Sequence, residues 1–157
     1  MEFFYWNFFS FAFNYKQTMR NILIIGAGRS ASSLIQYLLN KSVEQNLHIT
    51  IGDLSLELAQ RKTNNHPNAT AIQLDINNET QRHEEIQKAD IVISMLPAHM
   101  HIEVAKDCIT FKKHMVTASY VSDAMQGLDA AAKENGLIFM NEIGLDPGID
   151  HMSAMKV

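Results

Sequence analysis

Gly26-Ala27-Gly28-Arg29-Ser30-Ala31 stands between a short apolar run, NILII, and an amphipathic stretch, SASSLIQYLLNK, with Leu34, Leu38 and Leu39 on one face. The pattern reads as strand, tight turn, helix. Gly26 permits the turn, Gly28 lets backbone approach a pyrophosphate, and the small Ala31 allows the helix to pack on the strand. Free amides at the helix start then offer the favourable end of the helix dipole to phosphate.

The same alternation continues along the chain. HITIGD, ATAIQLD, DIVISMLP, HMVTAS and LIFMNEIG read as strands. Between them LSLELAQRKT, NETQRHEEIQKA, HMHIEVAKDCITFKK and VSDAMQGLDAAAKENG read as helices, the second seeded by Asn78 or Thr80 and the last closed by Gly136. Ile- and Val-rich strands alternating with helices predict an α/β fold, a Rossmann-like doubly wound parallel sheet of about six strands covered on both faces. After the sixth strand, Asp146 is expected to cap a helix with Pro147 at its first position, and the chain stops inside that helix. Residues 19–148 therefore read as a dinucleotide-binding domain, and 149–157 as the start of a further, truncated C-terminal domain of a longer protein.

Asp53 ends the second strand 25 residues after Gly28, where a carboxylate accepts hydrogen bonds from the adenosine ribose hydroxyls. A carboxylate there repels a 2′-phosphate, and Leu54 and Ser55 rather than an arginine follow it. This favours NAD, while Arg61 two helical turns on keeps NADP as the alternative. Three more strand ends reach the same edge of the sheet, where open α/β folds bind ligands. Asp75-Ile76 is placed to flank adenine, Leu96-Pro97 to line the path to nicotinamide, and Ser119-Tyr120 follows the fifth strand.

His99 and His101 are poor metal ligands, because residues two apart on a helix face different ways, and no metal is expected. Glu142, Asp146, Asp150 and His151 form a later polar cluster suited to a cation, a substrate amine or plain helix capping. No residue stands out as a catalytic acid or base.

Composition narrows the partners. The net charge of −4 and a pI near 5.9 leave no basic stripe for nucleic acid. The single Cys108 fits a reducing compartment, here taken as the cytoplasm. Residues 1–18 are a different composition: nine of the chain's thirteen aromatic residues fall in the first fifteen positions. That stretch lacks the basic start and cleavage site of a secretory signal, and its apolar run falls short of the roughly 20 residues that span a membrane. Either it is an arm that packs on the domain or a partner, or translation begins at Met19, directly before the first strand.

IIGAGRSA, GDLSLELA, ISMLPAHMH, VTASYVSDAM and especially MNEIGLDPGIDHM resemble the saccharopine dehydrogenase family in its saccharopine reductase branch, from about Arg20 to Val157. The resemblance implies a nicotinamide-dependent oxidoreductase of lysine metabolism that transfers hydride at the C–N bond of saccharopine or a similar amino-acid substrate. It places the phosphate turn at Gly26, Ala27, Gly28, Arg29, Ser30 and Ala31, the ribose at Asp53, and adenine at Asp75 and Ile76. Nicotinamide falls at Leu96, Pro97, Ser119, Tyr120 and Val121, and substrate at Ala98, His99, Asp146 and Pro147. A homo-oligomer is compatible with the full-length protein, and the fragment alone is expected to be inactive. A carboxynorspermidine or homospermidine-type enzyme and a stand-alone NAD-binding regulatory module are the rival readings.

Overall fold

The computed structural model describes residues 18–156, so the aromatic segment over 1–17 lies outside the described residues. Six parallel strands form one sheet: β1 (Arg20–Ile25), β2 (Leu47–Asp53), β3 (Ala69–Gln73), β4 (Ile91–Ser94), β5 (His114–Thr117) and β6 (Phe139–Met140). Their order is β3-β2-β1-β4-β5-β6, so the chain winds outward from β1 first one way and then the other. Ile24 pairs with Ile51 of β2 on one side and Ile93 of β4 on the other. A strand paired on both edges and covered on both faces has no polar position to spare, which is why its buried part, Ile22 to Ile25, is apolar throughout.

Alternate side chains of β1 feed two separate cores. Ile22 and Ile24 pack with Ile35 and Leu39 of α1 (Ser32–Ser42) and Ala59 of α2 (Leu56–Thr63). Leu23 and Ile25 pack with Ile86 of α3 (Glu79–Lys88) and Val104, Ala105 and Cys108 of α4 (His101–Thr110). Each fully buried aliphatic side chain contributes about 1.5–3 kcal/mol, so β1 anchors both layers. Between α3 and α4, Arg82 and Asp107 form a buried ion pair, and Arg82 also donates to the carbonyl of Ile76 at 2.7 Å.

Caps follow the sequence. Ser55 and Asn78 accept from the amides of Leu58 and Gln81 and start α2 and α3, so Asn78 rather than Thr80 seeds the latter.

Three expectations need correction. The stretch from Val121 to Gly136 is two short helices, α5 (Asp123–Gln126) and α6 (Asp129–Glu134). Gly127, the weakest helix former in the segment, sits at the break, and burial of Met125 and Ala132 fixes each piece separately. The sixth strand keeps only two residues, because Glu142 at φ 60 turns the chain out of the sheet. Finally, Asp146 does not cap a helix with Pro147 at its first position. Helix α7 (Ile149–Ala154) starts after Gly148, and a cis Asp146–Pro147 bond lies in the preceding turn. That turn is closed by Gly144 N–H to Pro147 C=O at 3.0 Å, while the Asp146 carboxylate is engaged by Tyr120 instead.

Candidate functional site

Because all strands are parallel, their carboxyl ends share one edge, and the order reverses between β1 and β4. The glycine turn sits at that reversal. Gly26 has φ +106, and a Cβ there would lie 2.8 Å from the carbonyl oxygen of Met95. Only glycine satisfies both conditions. Gly28 differs: a Cβ there would meet nothing within 4 Å, so the protein's own packing does not require glycine at this position. Open space over Gly28 is what a phosphate approaching the backbone needs. Helix α1 begins just beyond, with no side-chain cap and no acidic residue in its first turn, leaving its amides and positive dipole end available to an anion. Ala27 and Ala31 are buried, whereas Arg29 and Ser30 are exposed.

Asp53 closes β2 beside this turn. Its two oxygens accept from the amides of Ala27 at 2.8 Å and Ser55 at 2.9 Å. The carboxylate thus has a fixed direction, with lone pairs left for ribose hydroxyls. It lines a cavity of about 200 Å³ together with Gly26, Ile76, Leu96, Pro97 and Met100. A second cavity of about 340 Å³ lies on the other side of Leu96, lined by Ser30, Ser94, Ala98, Ser119, Tyr120, Asp146 and Pro147 among others. Leu96 belongs to both cavities, so they flank the glycine turn as two halves of one cleft. A mostly apolar pocket for a base on one side and a more polar one on the other matches the two ends of a dinucleotide.

The polar half is built from several elements. Tyr120 Oη donates to Asp146 at 2.5 Å, and this bond, with nearby carboxylates, pushes the phenol up to about 12. Glu142 holds the same loop from behind, its amide donating to the carbonyl of Ser119 and its carboxylate accepting from the amide of Val121, both at 3.1 Å. His101, only 3% exposed, presents Nδ1 to the Ser94 hydroxyl at 2.8 Å and Nε2 to the hydroxyls of Ser119 at 2.7 Å and Thr117 at 3.3 Å. Burial, and secondarily the charge of His99, hold its imidazole below the usual histidine range.

Most residues singled out in the sequence gather here, but not all. Asp75 stands beyond the end of β3, accepting from the amide of Asn77, and its neighbour Ile76 is the residue that reaches the smaller cavity. Pro97 lines the smaller cavity with Asp53, and Val121 faces a groove beside Met125 and Phe139. His99 opens onto a separate hollow lined by Asn77, Arg82 and Glu103. In the later cluster Asp150 pairs with His151 at 3.0 Å. His101 has no local signature in the sequence, because its partners lie 7, 16 and 18 positions away.

Over residues 22–140 the chain matches the family described as Saccharopine dehydrogenase NADP binding domain. It is 40% identical over 137 residues to saccharopine dehydrogenase (NADP(+), L-glutamate-forming) of Pyricularia oryzae, covering 87% of this chain and 30% of that protein. It is 35% identical to alpha-aminoadipic semialdehyde synthase of Arabidopsis thaliana, covering 87% of this chain and 14% of that protein. Apo saccharopine dehydrogenase (L-Glu forming) from Saccharomyces cerevisiae superposes with a TM-score of 0.78 at 35% identity, over 87% of this chain and 30% of that one. The chain therefore spans less than a third of the length of these relatives. From the first strand to the sixth, it belongs to the saccharopine dehydrogenase NADP-binding domain family, whose cofactor is NAD(P).

Proposed function

We propose that this chain supplies the cofactor half of an oxidoreductase that acts on the CH–NH bond of saccharopine or a closely similar amino-acid substrate in lysine metabolism. The observation that carries this reading is the pair of cavities meeting at Leu96 on either side of the glycine turn. The pyrophosphate fits over Gly28 at the uncapped start of α1, with adenosine between Asp53 and Pro97 and nicotinamide against Ser94 and Ser119. The nicotinamide supplies or takes the hydride. The protein aligns the reacting atoms, and Tyr120 holds a proton against Asp146 at the rim of the same cavity. Ala98, Asp146 and Pro147 bring the substrate side next to it.

NAD is the better fit of the two cofactors, although the Pyricularia oryzae relative is described as an NADP(+) enzyme and the family as an NADP binding domain. The Asp53 carboxylate is held in place by two amides, and a 2′-phosphate would meet its charge directly. Arg61, the nearest arginine in sequence, lies beside Glu57 at 3.9 Å on an exposed helix face. Reaction with substrate belongs to the longer protein. Exposed Ile143, Leu145, Ile149 and Met152 provide an apolar face for the rest of such a chain or for a second subunit. No helix among the described residues is long and apolar enough to cross a membrane. A cytoplasmic setting goes with the free, buried Cys108 thiol.

The test is a titration of the chain with NADH and with NADPH, followed by nicotinamide fluorescence. Saturable binding with NADH the tighter ligand is expected. A folded chain that binds neither would overturn the cofactor reading, and tighter binding of NADPH would overturn the role given to Asp53.

A further inference from the structure

Arg82 is only 7% exposed, yet its guanidinium is not fully used. Nε donates to Asp107 and Nη1 to the carbonyl of Ile76 at 2.7 Å, two of the five N–H groups that an arginine offers. Among the described residues no polar side-chain atom is both sealed from solvent and unpaired, so the remaining end of the fork, Nη2, opens onto space. That space is the hollow of about 510 Å³ beside the starts of α3 and α4, lined by Ile76, Asn77, Arg82, His99, Met100 and Glu103. It carries both signs of charge. Glu103 accepts from Lys106 on Oε1 at 2.8 Å, and its Oε2 has no partner among the described residues. The Lys106 bond, and after it the charges of Lys106 and Arg82, hold the Glu103 carboxyl below the usual carboxylate range. Ile76 and Met100 add an apolar wall.

A lone anion against Arg82 would meet the Glu103 carboxylate, and a lone cation against Glu103 would meet the guanidinium. A molecule with a carboxylate and an ammonium on one carbon answers both. Its planar carboxylate suits the Nη1–Nη2 end of the fork, its ammonium suits Oε2 of Glu103, and its carbon chain then lies against Ile76 and Met100. We infer that this hollow is a second site, taking a free α-amino acid with an apolar side chain. Ser94, Ser119, Tyr120 and Asp146 line the larger cavity and none of them lines the hollow, so this site stands apart from the half of the cleft proposed for substrate. Ile76 and Met100 also line the smaller cavity, so the occupant borders the adenosine half without being part of it. The inference does not rest on the cofactor reading.

The test titrates the chain, carrying methyl-labelled methionine, with three probes: L-norleucine, hexanoate, which is norleucine without the amine, and pentylamine, which is norleucine without the carboxylate. The NMR signal of the Met100 methyl group, assigned with Met100→Leu, reports occupancy in the unaltered chain. Norleucine is expected to move it saturably, with an affinity about tenfold above that of either analogue. Glu103 is exposed, so Glu103→Gln should keep the unfolding curve of the parent and bring norleucine down to the level of hexanoate. A Met100 signal that norleucine leaves unmoved, an analogue that binds as tightly as norleucine, or undiminished norleucine binding by Glu103→Gln would each overturn the inference. Saturating ADP-ribose should leave norleucine bound; its displacement would give the hollow to the nucleotide and overturn the inference as well. If ADP-ribose itself does not bind, the cofactor reading fails, while the norleucine titration still decides this one.

Discussion

The carboxylate of Asp53 accepts the backbone amide of Ala27 at 2.8 Å, so the end of β2 and the glycine turn are fastened to each other across β1 and β2. A charge held this way cannot swing aside for a phosphate. Asp53→Asn should therefore shift the ratio of NADPH to NADH affinity upward by about tenfold, ~1.4 kcal/mol of removed repulsion. Paired titrations with the two cofactors measure this ratio, and an unchanged value would assign selectivity to some other group.

The two glycines of the turn should separate stability from binding. Gly26→Ala forces a Cβ against the Met95 carbonyl at a φ of +106, and should lower the urea midpoint and abolish cofactor binding together. Gly28→Ala meets no protein atom, so its unfolding curve should overlay that of the parent while dinucleotide affinity drops at least about tenfold. A stable Gly28→Ala chain that binds normally would remove the pyrophosphate from this position.

Arg82 and Asp107 are side chains about nine-tenths buried between α3 and α4, and Asp107 also receives Nε2 of His83 at 3.1 Å. Removing one partner strands the other, so Asp107→Ala should cost about 3 kcal/mol in urea unfolding. Replacing both together with leucine and methionine should recover part of that loss, because no charge is then stranded, while the Ile76 carbonyl still lacks the donor that Arg82 supplied.

His101 gives a pH signature. Its pKa in the folded chain lies below the ordinary 6.5, because burial, and then the neighbouring charge of His99, disfavour the imidazolium. The unfolded chain consequently binds more protons just below pH 6.5, and stability from this group is complete above that pH and is lost as pH falls toward the lowered value. Unfolding midpoints measured from pH 8 to pH 5 should decline more steeply for the parent than for His101→Gln. Parallel curves would show that the ring does not titrate differently on folding.

Much of this architecture was legible because its signals are local. NILII-GAGRSA, the strand-ending Asp53 and the caps Ser55 and Asn78 each declare themselves within a few residues. The misread parts depend on distant partners. Asp146 looked like a helix cap until Tyr120, 26 positions away, claimed its carboxylate. The strand over LIFMNEIG was cut short by the left-handed turn at Glu142, whose amide and carboxylate serve the loop after β5. His101 invited a metal reading through its nearness to His99, when its own partners were three hydroxyls on other elements.

The pairing of Ile22 with Ile91 joins residues 69 apart, whereas each neighbouring pair in the β1–β2–β3 half is closed by one short helix. Contacts so distant in sequence are entropically the slowest to form. The smaller cavity and the serine-lined one both straddle this seam, since each draws on the glycine turn and on the end of β4 or the loop that follows it. A dinucleotide placed across them, as proposed, would bridge two halves of the chain that otherwise meet late. Its presence should act as a clasp, raising the barrier to their separation and slowing unfolding even where the strands themselves gain no new bond.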